Sequence, residues 1–189
     1  ERVSQLKKGL KEIGVPVLQS ESPIIPVVFG DELKTLEAAE FLLKAGITSG
    51  LNGTKKGSYP VTVGVGFSAA EIILSSDEIL YTGSSNPDVI CVTSSHGLEY
   101  AKKTLADMKG GKLIIDSSLK VPETKAEIIS FPFRKRGGAK NSSIYSIFYL
   151  LKKTGIFPME ALLTVFNENK ISKKFDLEKM LQSLNELIP

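Results

Sequence analysis

Short apolar runs alternate along this chain with segments in which apolar residues recur every three or four positions. The runs cover residues 24–29, 89–93, 112–116 and 127–131, and they are rich in the β-branched side chains of buried strands. The segments between them have the period of an α-helix that buries one face. Strands that alternate with helices predict an α/β fold, a three-layer domain with a mostly parallel sheet and helices on both faces.

Six segments have helical periodicity, and glycines mark the ends of two of them. The segments cover residues 2–14, about 32–44, 98–108, 142–153, 159–166 and 177–184. Gly46 is placed to end the second segment, and Gly110-Gly111 to end the third. We expect residues 1–22 to form an N-terminal helix or appendage, and residues 23–189 to form the α/β domain.

The stretch between the second predicted helix and residue 86 has a weaker pattern. Residues 48–60 hold four glycines or prolines and predict a loop. Residues 61–74 have the composition of a strand, but Gly64 and Gly66 interrupt it and predict a bulge or a hairpin. Residues 78–81 predict a further short strand.

Composition and charge exclude several classes of protein. The chain has 189 residues, 42% of them hydrophobic and 24% charged, which is ordinary for a globular domain. Its net charge of +3 is too small to indicate nucleic-acid binding, and no apolar run reaches the ~18 residues that cross a membrane. The first residues are charged, unlike a signal peptide, so we expect an intracellular, cytoplasmic protein.

The chain contains one cysteine and one histidine, which limits the chemistry it can carry. A single cysteine, Cys91, excludes an internal disulfide and any metal or iron–sulfur site built from cysteines, and its place in a strand favours packing. His96 follows the predicted strand 89–93, at the sheet edge where ligands bind in parallel sheets. The alternative, which we favour, is that His96 caps or starts the next helix on the surface, because no acid or nucleophile is visibly paired with it.

Glycines in this chain do not form a recognisable phosphate-binding loop. The first strand is followed by Gly30-Asp31-Glu32-Leu33, where two carboxylates would repel an anion. Neither the dinucleotide-binding glycine pattern nor a P-loop is present in the sequence. We therefore expect no phosphate site after the first strand.

The one concentrated charge feature lies within residues 133–141, which hold four cations in seven positions and two glycines. A glycine-containing loop of this kind can bind phosphates, carboxylates or an acidic protein surface, and a solvated loop is the equally weighted alternative. Its candidate binding residues are Arg134, Lys135, Arg136, Gly137, Gly138, Lys140 and Asn141. A weaker second group consists of Gly53, Thr54, Lys55 and Lys56. The residues show no catalytic triad, no paired carboxylates and no metal-ligand set, so we assign no catalytic residue.

Several motifs in the chain resemble the gamma subunit of the 2-oxoacid:ferredoxin oxidoreductases. Residues 71–79 with 86–90 carry a strand, a Ser-Asp-Glu turn and a Pro-Asp-Val sequence that begins the next strand. Residues 109–117 carry a Gly-Gly-x-Leu-Ile-x-Asp-Ser pattern. Residues 140–143 and 154–162 carry an Asn before one helix and a Thr-Gly-Ile-x-Pro-x-Glu-Ala-Leu pattern at the start of the next. The family usually has a Gly-Gly-Gln-Gly loop where this chain has Gly30-Asp31-Glu32-Leu33, so no role is carried over for that loop.

The resemblance implies a non-catalytic or partly catalytic subunit that is not active alone. Such complexes oxidise a 2-oxoacid, for example pyruvate or 2-oxoglutarate, to an acyl-CoA and pass the electrons to ferredoxin. The implied partners are the alpha and beta subunits, and ferredoxin indirectly, with no nucleic acid and no membrane. Thiamine diphosphate, coenzyme A and iron–sulfur clusters are implied in the complex, with no cofactor bound by this chain alone. The basic residues of 133–141 would then bind a partner or coenzyme A.

Residues 21–31 read Glu-Ser-Pro-Ile-Ile-Pro-Val-Val-Phe-Gly-Asp, and residues 42–47 read Leu-Leu-Lys-Ala-Gly-Ile. With these segments, residues 1–47 also resemble the small C-terminal domain of a second family, the pyridoxal-phosphate-dependent α-oxoamine synthases. The Schiff-base lysine of that family lies in a large domain that these residues do not include, so that catalysis is not implied. Three alternatives follow: a gamma-type domain whose first strand and helix took on this sequence, a detached synthase domain, or a stand-alone nucleotide-binding module. The missing glycine fingerprint counts against the last.

Overall fold

The computed structural model describes residues 24–29, 32–58, 68–80, 86–169 and 176–185. The helix predicted over residues 2–14, the proposed appendage 1–22 and the glycines at 64 and 66 lie outside these residues. The elements, in chain order, are β1 (Ile24–Phe29), α1 (Glu32–Thr48), β2 (Asn52–Ser58), β3 (Ser68–Ser75), β4 (Val89–Val92), α2 (Ser95–Asp107), β5 (Lys112–Asp116), β6 (Glu127–Phe131), α3 (Phe133–Thr154), α4 (Met159–Asn167) and α5 (Leu177–Asn185).

The described strands form one six-stranded sheet with the order β2-β3-β1-β4-β5-β6. The four strands predicted from apolar runs are neighbours in it, and β1, β4, β5 and β6 are parallel. Strand β3 is antiparallel to both of its neighbours, β1 and β2. The prediction of a mostly parallel sheet is therefore confirmed.

Helices cover both faces of the sheet. Side chains alternate in direction along each strand, so both faces carry apolar side chains that the helices bury. On one face, α1, α3, α4 and α5 pack over Cys91 and Ile114 in the larger core cluster. On the other face, α2 places Leu105 against Val92 and Ile115. The predicted three-layer α/β arrangement is thus confirmed for the described residues. None of the helices in the described part of the chain is long and apolar enough to span a membrane.

Strand β2 corrects the prediction of a loop over residues 48–60. It pairs with β3 along its whole length, from Asn52 opposite Ser75 to Ser58 opposite Ala69. A sheet edge tolerates lysines and glycines because only one of its sides needs backbone partners. The composition that indicated a loop is therefore that of a polar edge strand.

Helix α1 corrects the expected end at Gly46, since it continues to Thr48. A Cβ atom at position 46 would lie 2.6 Å from Leu74 Cδ2, so Gly46 allows the helix to approach β3 closely. The turn itself forms at Gly50, which has a φ of 87°. A smaller correction concerns the region after β3, where Glu78–Leu80 form no strand. Of the residues 61–74 predicted as a strand, those from Ser68 onward lie in β3, and residues 61–67 lie outside the described part of the chain.

Helix α3 corrects both the predicted start at Ser142 and the predicted loop over residues 133–141. It begins at Phe133, directly after β6, and contains a break at Gly138, whose φ of 71° and ψ of 168° are not helical. The basic segment is therefore a short helical turn followed by a kink, and the main part of α3 follows the kink. We use "basic turn" below for residues 133–140, which include this kink.

Candidate functional site

Asp116, a buried residue at the end of β5, joins the carboxyl ends of two parallel strands, β5 and β6, through its carboxylate. Its Oδ2 accepts a hydrogen bond of 2.7 Å from the backbone N–H of Arg134, at the start of α3. Its Oδ1 accepts a bond of 2.9 Å from the N–H of Ser118 and a second from the Ser118 hydroxyl. Asp116 is only 1% exposed, so it holds the basic turn and the segment after β5 against the end of the sheet.

Arg134 adds a connection to β4. Its guanidinium Nη1 donates to the backbone oxygen of Thr93 at 3.3 Å, and its side chain is half-buried. The residues that follow β4, β5 and β6 thus meet at the carboxyl end of the sheet, which is where ligands bind in parallel α/β sheets. Arg134 differs from the other cations of the basic turn because its charge is already held by the fold.

The remaining cations of the basic turn face solvent. Lys135, Arg136 and Lys140 are exposed, and Arg136 Nη1 lies 3.4 Å from the Ser183 hydroxyl of α5. Gly138 provides the positive φ of the kink, while a Cβ at Gly137 would lie 2.7 Å from the ring of Tyr145. The contact with Ser183 gives Arg136 a defined position, and the packing of Gly137 against Tyr145 fixes the backbone beside it at the carboxyl end of the sheet.

Tyr145, on the main part of α3, lies close to the charges around this kink. Burial raises the pKa of its hydroxyl, and the carboxylate of Asp176 raises the pKa further, whereas Arg136 lowers it. The phenol therefore stays neutral at physiological pH and serves as a packing surface for Gly137. Asn141, the last candidate of the basic group, is half-buried beside it on α3.

His96 lies in the first turn of α2, which starts three residues earlier than the predicted residue 98. The helix is capped by Ser94, whose hydroxyl accepts a 3.0 Å hydrogen bond from the N–H of Gly97. The His96 side chain is exposed. His96 thus lies on the surface at the carboxyl end of the sheet. It belongs to the start of the helix and not to a loop.

The second predicted group, Gly53 to Lys56, lies on β2 and does not join the basic turn. Strand β2 is one edge of the sheet, and β6, which leads into the basic turn, is the other. Gly53 allows close packing, since a Cβ there would lie 2.5 Å from Leu43 Cδ1. Lys55 forms an ion pair with Glu40 of α1. Within this group, Gly53 and Lys55 therefore attach the edge strand to α1.

The Lys55–Glu40 pair predicts a pH-dependent contribution to stability. The hydrogen bond from Lys55 is the main cause that lowers the pKa of Glu40. A lowered pKa in the folded state stabilises the protein above the unfolded pKa and is lost as the pH falls through the folded value. Because Glu40 is partly exposed, we expect Glu40→Gln to cost under ~1 kcal/mol at neutral pH, and less below a pH of about 4. Urea unfolding of both proteins across this pH range measures the difference, with exposed Glu123→Gln as the control. A pH-independent cost would contradict this account.

Cys91 is fully buried in β4, where desolvation raises the pKa of its thiol. A thiol that resists ionisation is neither a ready nucleophile nor a ready metal ligand, which agrees with the predicted packing role. Among the residues that the structure describes, no group of three or more His, Cys, Asp and Glu side chains could hold a metal ion.

The structure reveals three polar residues that the sequence patterns did not single out. Hydroxyl oxygens of Ser68, Thr93 and Ser143 are buried without a hydrogen-bond partner. Thr93 is joined to the network by its backbone oxygen, which accepts from the Arg134 guanidinium. The N–H of Arg134 in turn donates to Asp116. Asp116 itself was visible in the sequence only as part of the Asp-Ser pattern at the end of a strand. A carboxylate directly after a buried apolar run is the one signal that could have identified it.

Comparisons with known proteins give one sequence relative and several structural ones, while no protein-family profile matches the chain. The relative is the 8-amino-7-oxononanoate synthase of Treponema denticola, 46% identical over 44 residues. The match covers 23% of this chain and 11% of the synthase, so the chain spans only about a tenth of that protein. This partial match agrees with the second resemblance noted from the sequence.

The solved structures resemble the chain over most of its length. A 2-oxoglutarate:ferredoxin oxidoreductase from Magnetococcus marinus, with 2-oxoglutarate, coenzyme A and succinyl-CoA bound, has a TM-score of 0.74 and 17% identity, over 89% of this chain and 30% of that one. The gamma subunit of a keto/oxoacid ferredoxin oxidoreductase from Geobacter sulfurreducens has a TM-score of 0.67 and 17% identity, over 86% and 94%. The pyruvate oxidoreductase subunit PORC from Thermotoga maritima has a TM-score of 0.64 and 15% identity, over 87% and 92%. At these identities the likeness is one of fold: the chain has the fold of the oxidoreductase gamma subunit.

Proposed function

We propose that this chain is the gamma-type component of a 2-oxoacid:ferredoxin oxidoreductase complex. The observation that carries the proposal is the shared fold, which extends over more than nine tenths of two solved oxidoreductase subunits. In this role residues 23–189 form the domain that packs against the alpha and beta subunits, and residues 1–22 form an appendage. The complex lies in the cytoplasm and binds neither nucleic acid nor a membrane. Ferredoxin binds the complex at another subunit.

The state of the reactive side chains supports a non-catalytic or partly catalytic role. Asp116 accepts hydrogen bonds from its own chain on both oxygens, and Cys91 is buried within a strand. A lone buried thiol does not fit an iron–sulfur cluster, which needs several thiolates. Iron–sulfur clusters and thiamine diphosphate are therefore assigned to the other subunits of the complex.

The basic turn is the surface that we assign to a partner or to coenzyme A. Its exposed cations, Lys135, Arg136 and Lys140, are positioned beside the anchored Arg134. Guanidinium and ammonium groups bind carboxylates and phosphates alike, so an acidic subunit surface and the phosphates of coenzyme A are both suitable. The kink of this turn lies at Gly138, and the side chains of its three cations are exposed to solvent.

Activity of the assembled complex tests the proposal. Coenzyme A-dependent oxidation of pyruvate and of 2-oxoglutarate, with an artificial electron acceptor, is measured for the chain alone and with alpha and beta subunits from the same organism. We expect turnover only in the mixture. Turnover by the purified chain alone would contradict the proposed role.

Removal of exposed charge tests the basic turn. Lys135→Ser combined with Lys140→Ser should leave the melting temperature unchanged, because surface substitutions usually change stability by under ~0.5 kcal/mol. At low salt the variant should bind the other subunits or coenzyme A more weakly than the parent protein does. At high salt, where charges are screened, the affinities of the two proteins should become equal. A matched control, Lys103→Ser with Lys109→Ser, removes the same charge from other exposed positions. Equal behaviour of the two double variants would show that the basic turn is only a solvated turn.

A second candidate rests on the short synthase match, which is sharper in identity but covers less than a quarter of the chain. A detached synthase-like domain would bind a pyridoxal-phosphate-containing large domain rather than oxidoreductase subunits. Mixing the chain with each of these partners separates the candidates, and we expect association with the oxidoreductase subunits.

A further inference from the structure

Strand β6 is an edge of the sheet, and on its outer side no described strand pairs with it. Its inner side pairs in parallel with β5, from Lys112 opposite Glu127 to Asp116 opposite Phe131. Edge strands present unpaired N–H and C=O groups and thereby serve as templates for a strand of another chain. The direction of the backbone groups of β6 determines which of them a strand from another chain could bind.

Two backbone hydrogen bonds decide the direction of each group. The N–H of Glu127 donates to Gly111 at 2.8 Å, and the C=O of Phe131 accepts from Ser117 at 3.0 Å, so both residues face β5. Backbone groups alternate in direction along a strand, so Ile129 also faces β5. The N–H and C=O groups of Ile128 and Ser130 therefore point away from the sheet.

Side chains also leave this edge open. Ile129 and Phe131 pack toward α3 in the larger core, so the side chains of Ile128 and Ser130 lie on the opposite face. Both are exposed, and the apolar Ile128 is 45% accessible to solvent. A strand added beside β6 would cover this exposed isoleucine as well as the outward backbone groups.

The two edges of the sheet differ in how they are protected. Strand β2 carries adjacent lysines, Lys55 and Lys56, which discourage strand addition. Within the sequence of β6, Glu-Ile-Ile-Ser-Phe, the one charge belongs to Glu127, and Lys112 of β5 neutralises it in an ion pair. The β6 edge therefore lacks the protective lysines of its counterpart.

Charge around β6 indicates the kind of strand. Residues 120–136, which contain the strand, hold five cations, namely Lys120, Lys125, Arg134, Lys135 and Arg136, and two acids, Glu123 and Glu127. The difference of +3 equals the net charge of the whole chain. A second copy would bring two such basic regions together, whereas an acidic segment would neutralise them.

We propose that β6 binds an extended, acidic segment of a partner protein by strand addition. The outward groups of Ile128 and Ser130 pair with the added strand, an apolar side chain of that strand covers Ile128, and its carboxylates meet the surrounding cations. This interaction shares cations with the basic turn, but it differs from the role assigned to that turn because its directing groups are backbone atoms of the strand.

Peptide binding with amide exchange tests this proposal. The probe is a short fluorescent peptide of alternating glutamate and valine, compared with the same peptide carrying lysine in place of glutamate. We expect only the acidic peptide to bind, and we expect it to slow hydrogen exchange at the amides of Ile128 and Ser130. The amide of Ile129 faces β5 and should be protected with or without the peptide.

Two variants separate strand addition from general charge attraction. Ser130→Pro removes one outward N–H and leaves the β5 ladder in place, so affinity should fall at least about tenfold, while Ser130→Ala binds as the parent does. If the proline variant fails to fold, an acidic peptide of the same sequence with N-methylated backbone amides supplies the same test, because it keeps the charge but cannot donate to the outward C=O groups of β6. Unchanged affinity of folded Ser130→Pro or of the N-methylated peptide, equal binding of the lysine peptide, or protection of Ser130 by self-association without peptide would each overturn the proposal.

Discussion

Replacing Asp116 with alanine is expected to lower the free energy of unfolding by about 3 kcal/mol. The carboxylate is 1% exposed and accepts bonds from the N–H groups of Arg134 and Ser118. Alanine would leave these two donors without their acceptor at a site closed to water, and an unsatisfied buried donor costs about 1–3 kcal/mol. Urea unfolding followed by far-ultraviolet circular dichroism measures the change.

The matched control for Asp116 is Ser118→Ala, which removes only the hydroxyl donor to the same carboxylate. We expect this change to cost about 1 kcal/mol, the usual net contribution of one hydrogen bond. A loss at Asp116 no larger than the loss at Ser118 would show that the carboxylate does not hold the strand ends together.

Replacing Phe133 with alanine is expected to cost about 4 kcal/mol, because its ring is fully buried where the basic turn begins. The ring centroid lies 4.9 Å from that of Phe131 and 5.4 Å from that of Tyr149, the latter in an edge-to-face arrangement. Deleting the ring leaves a cavity between β6 and α3 and also frees the basic turn. Calorimetric unfolding measures the loss of stability.

Two controls separate packing from a general effect of substitution at Phe133. Phe133→Leu keeps most of the buried volume and should cost under about 1.5 kcal/mol. Tyr100→Ala removes an aromatic ring that is 43% exposed on α2 and should cost clearly less than Phe133→Ala. Equal losses at Phe133 and Tyr100 would contradict the packing described for α3.

The four parallel strands could be predicted because each is a short apolar run in the sequence. Strands β4 and β5 are buried along nearly their whole length, as such runs indicate, whereas β6 buries one face only. Strands β1, β5 and β6 have the predicted ends, and β4 ends one residue before the predicted position. Strand β2 could not be predicted, because Asn52 to Ser58 contain no apolar residue and the strand exists only through its pairing with β3. Pairing between distant segments is a tertiary effect that local patterns do not record.

The candidate site was predicted in part, and the remainder depends on contacts between distant residues. The charge cluster of residues 133–141 is visible in the sequence, but its two adjacent glycines indicate a loop. In the structure the segment begins with a helical turn, which the packing of Phe133 against Tyr149 supports. The sequence groups Arg134 with the other candidate binding cations of this segment, whereas in the structure its guanidinium contacts Thr93, 41 positions away in sequence. No local pattern shows that Asp116 would join these residues.

The proposal of a gamma-type component is tested most directly by whether the chain assembles with its expected partners. The chain is co-expressed with the alpha and beta subunits of a 2-oxoacid:ferredoxin oxidoreductase from the same organism, and size-exclusion chromatography with light scattering gives the mass of each species. We predict that all three chains elute together in a constant ratio across one peak, and that the peak persists at physiological salt. Elution of this chain alone, while the alpha and beta subunits assemble without it, would contradict the proposed function.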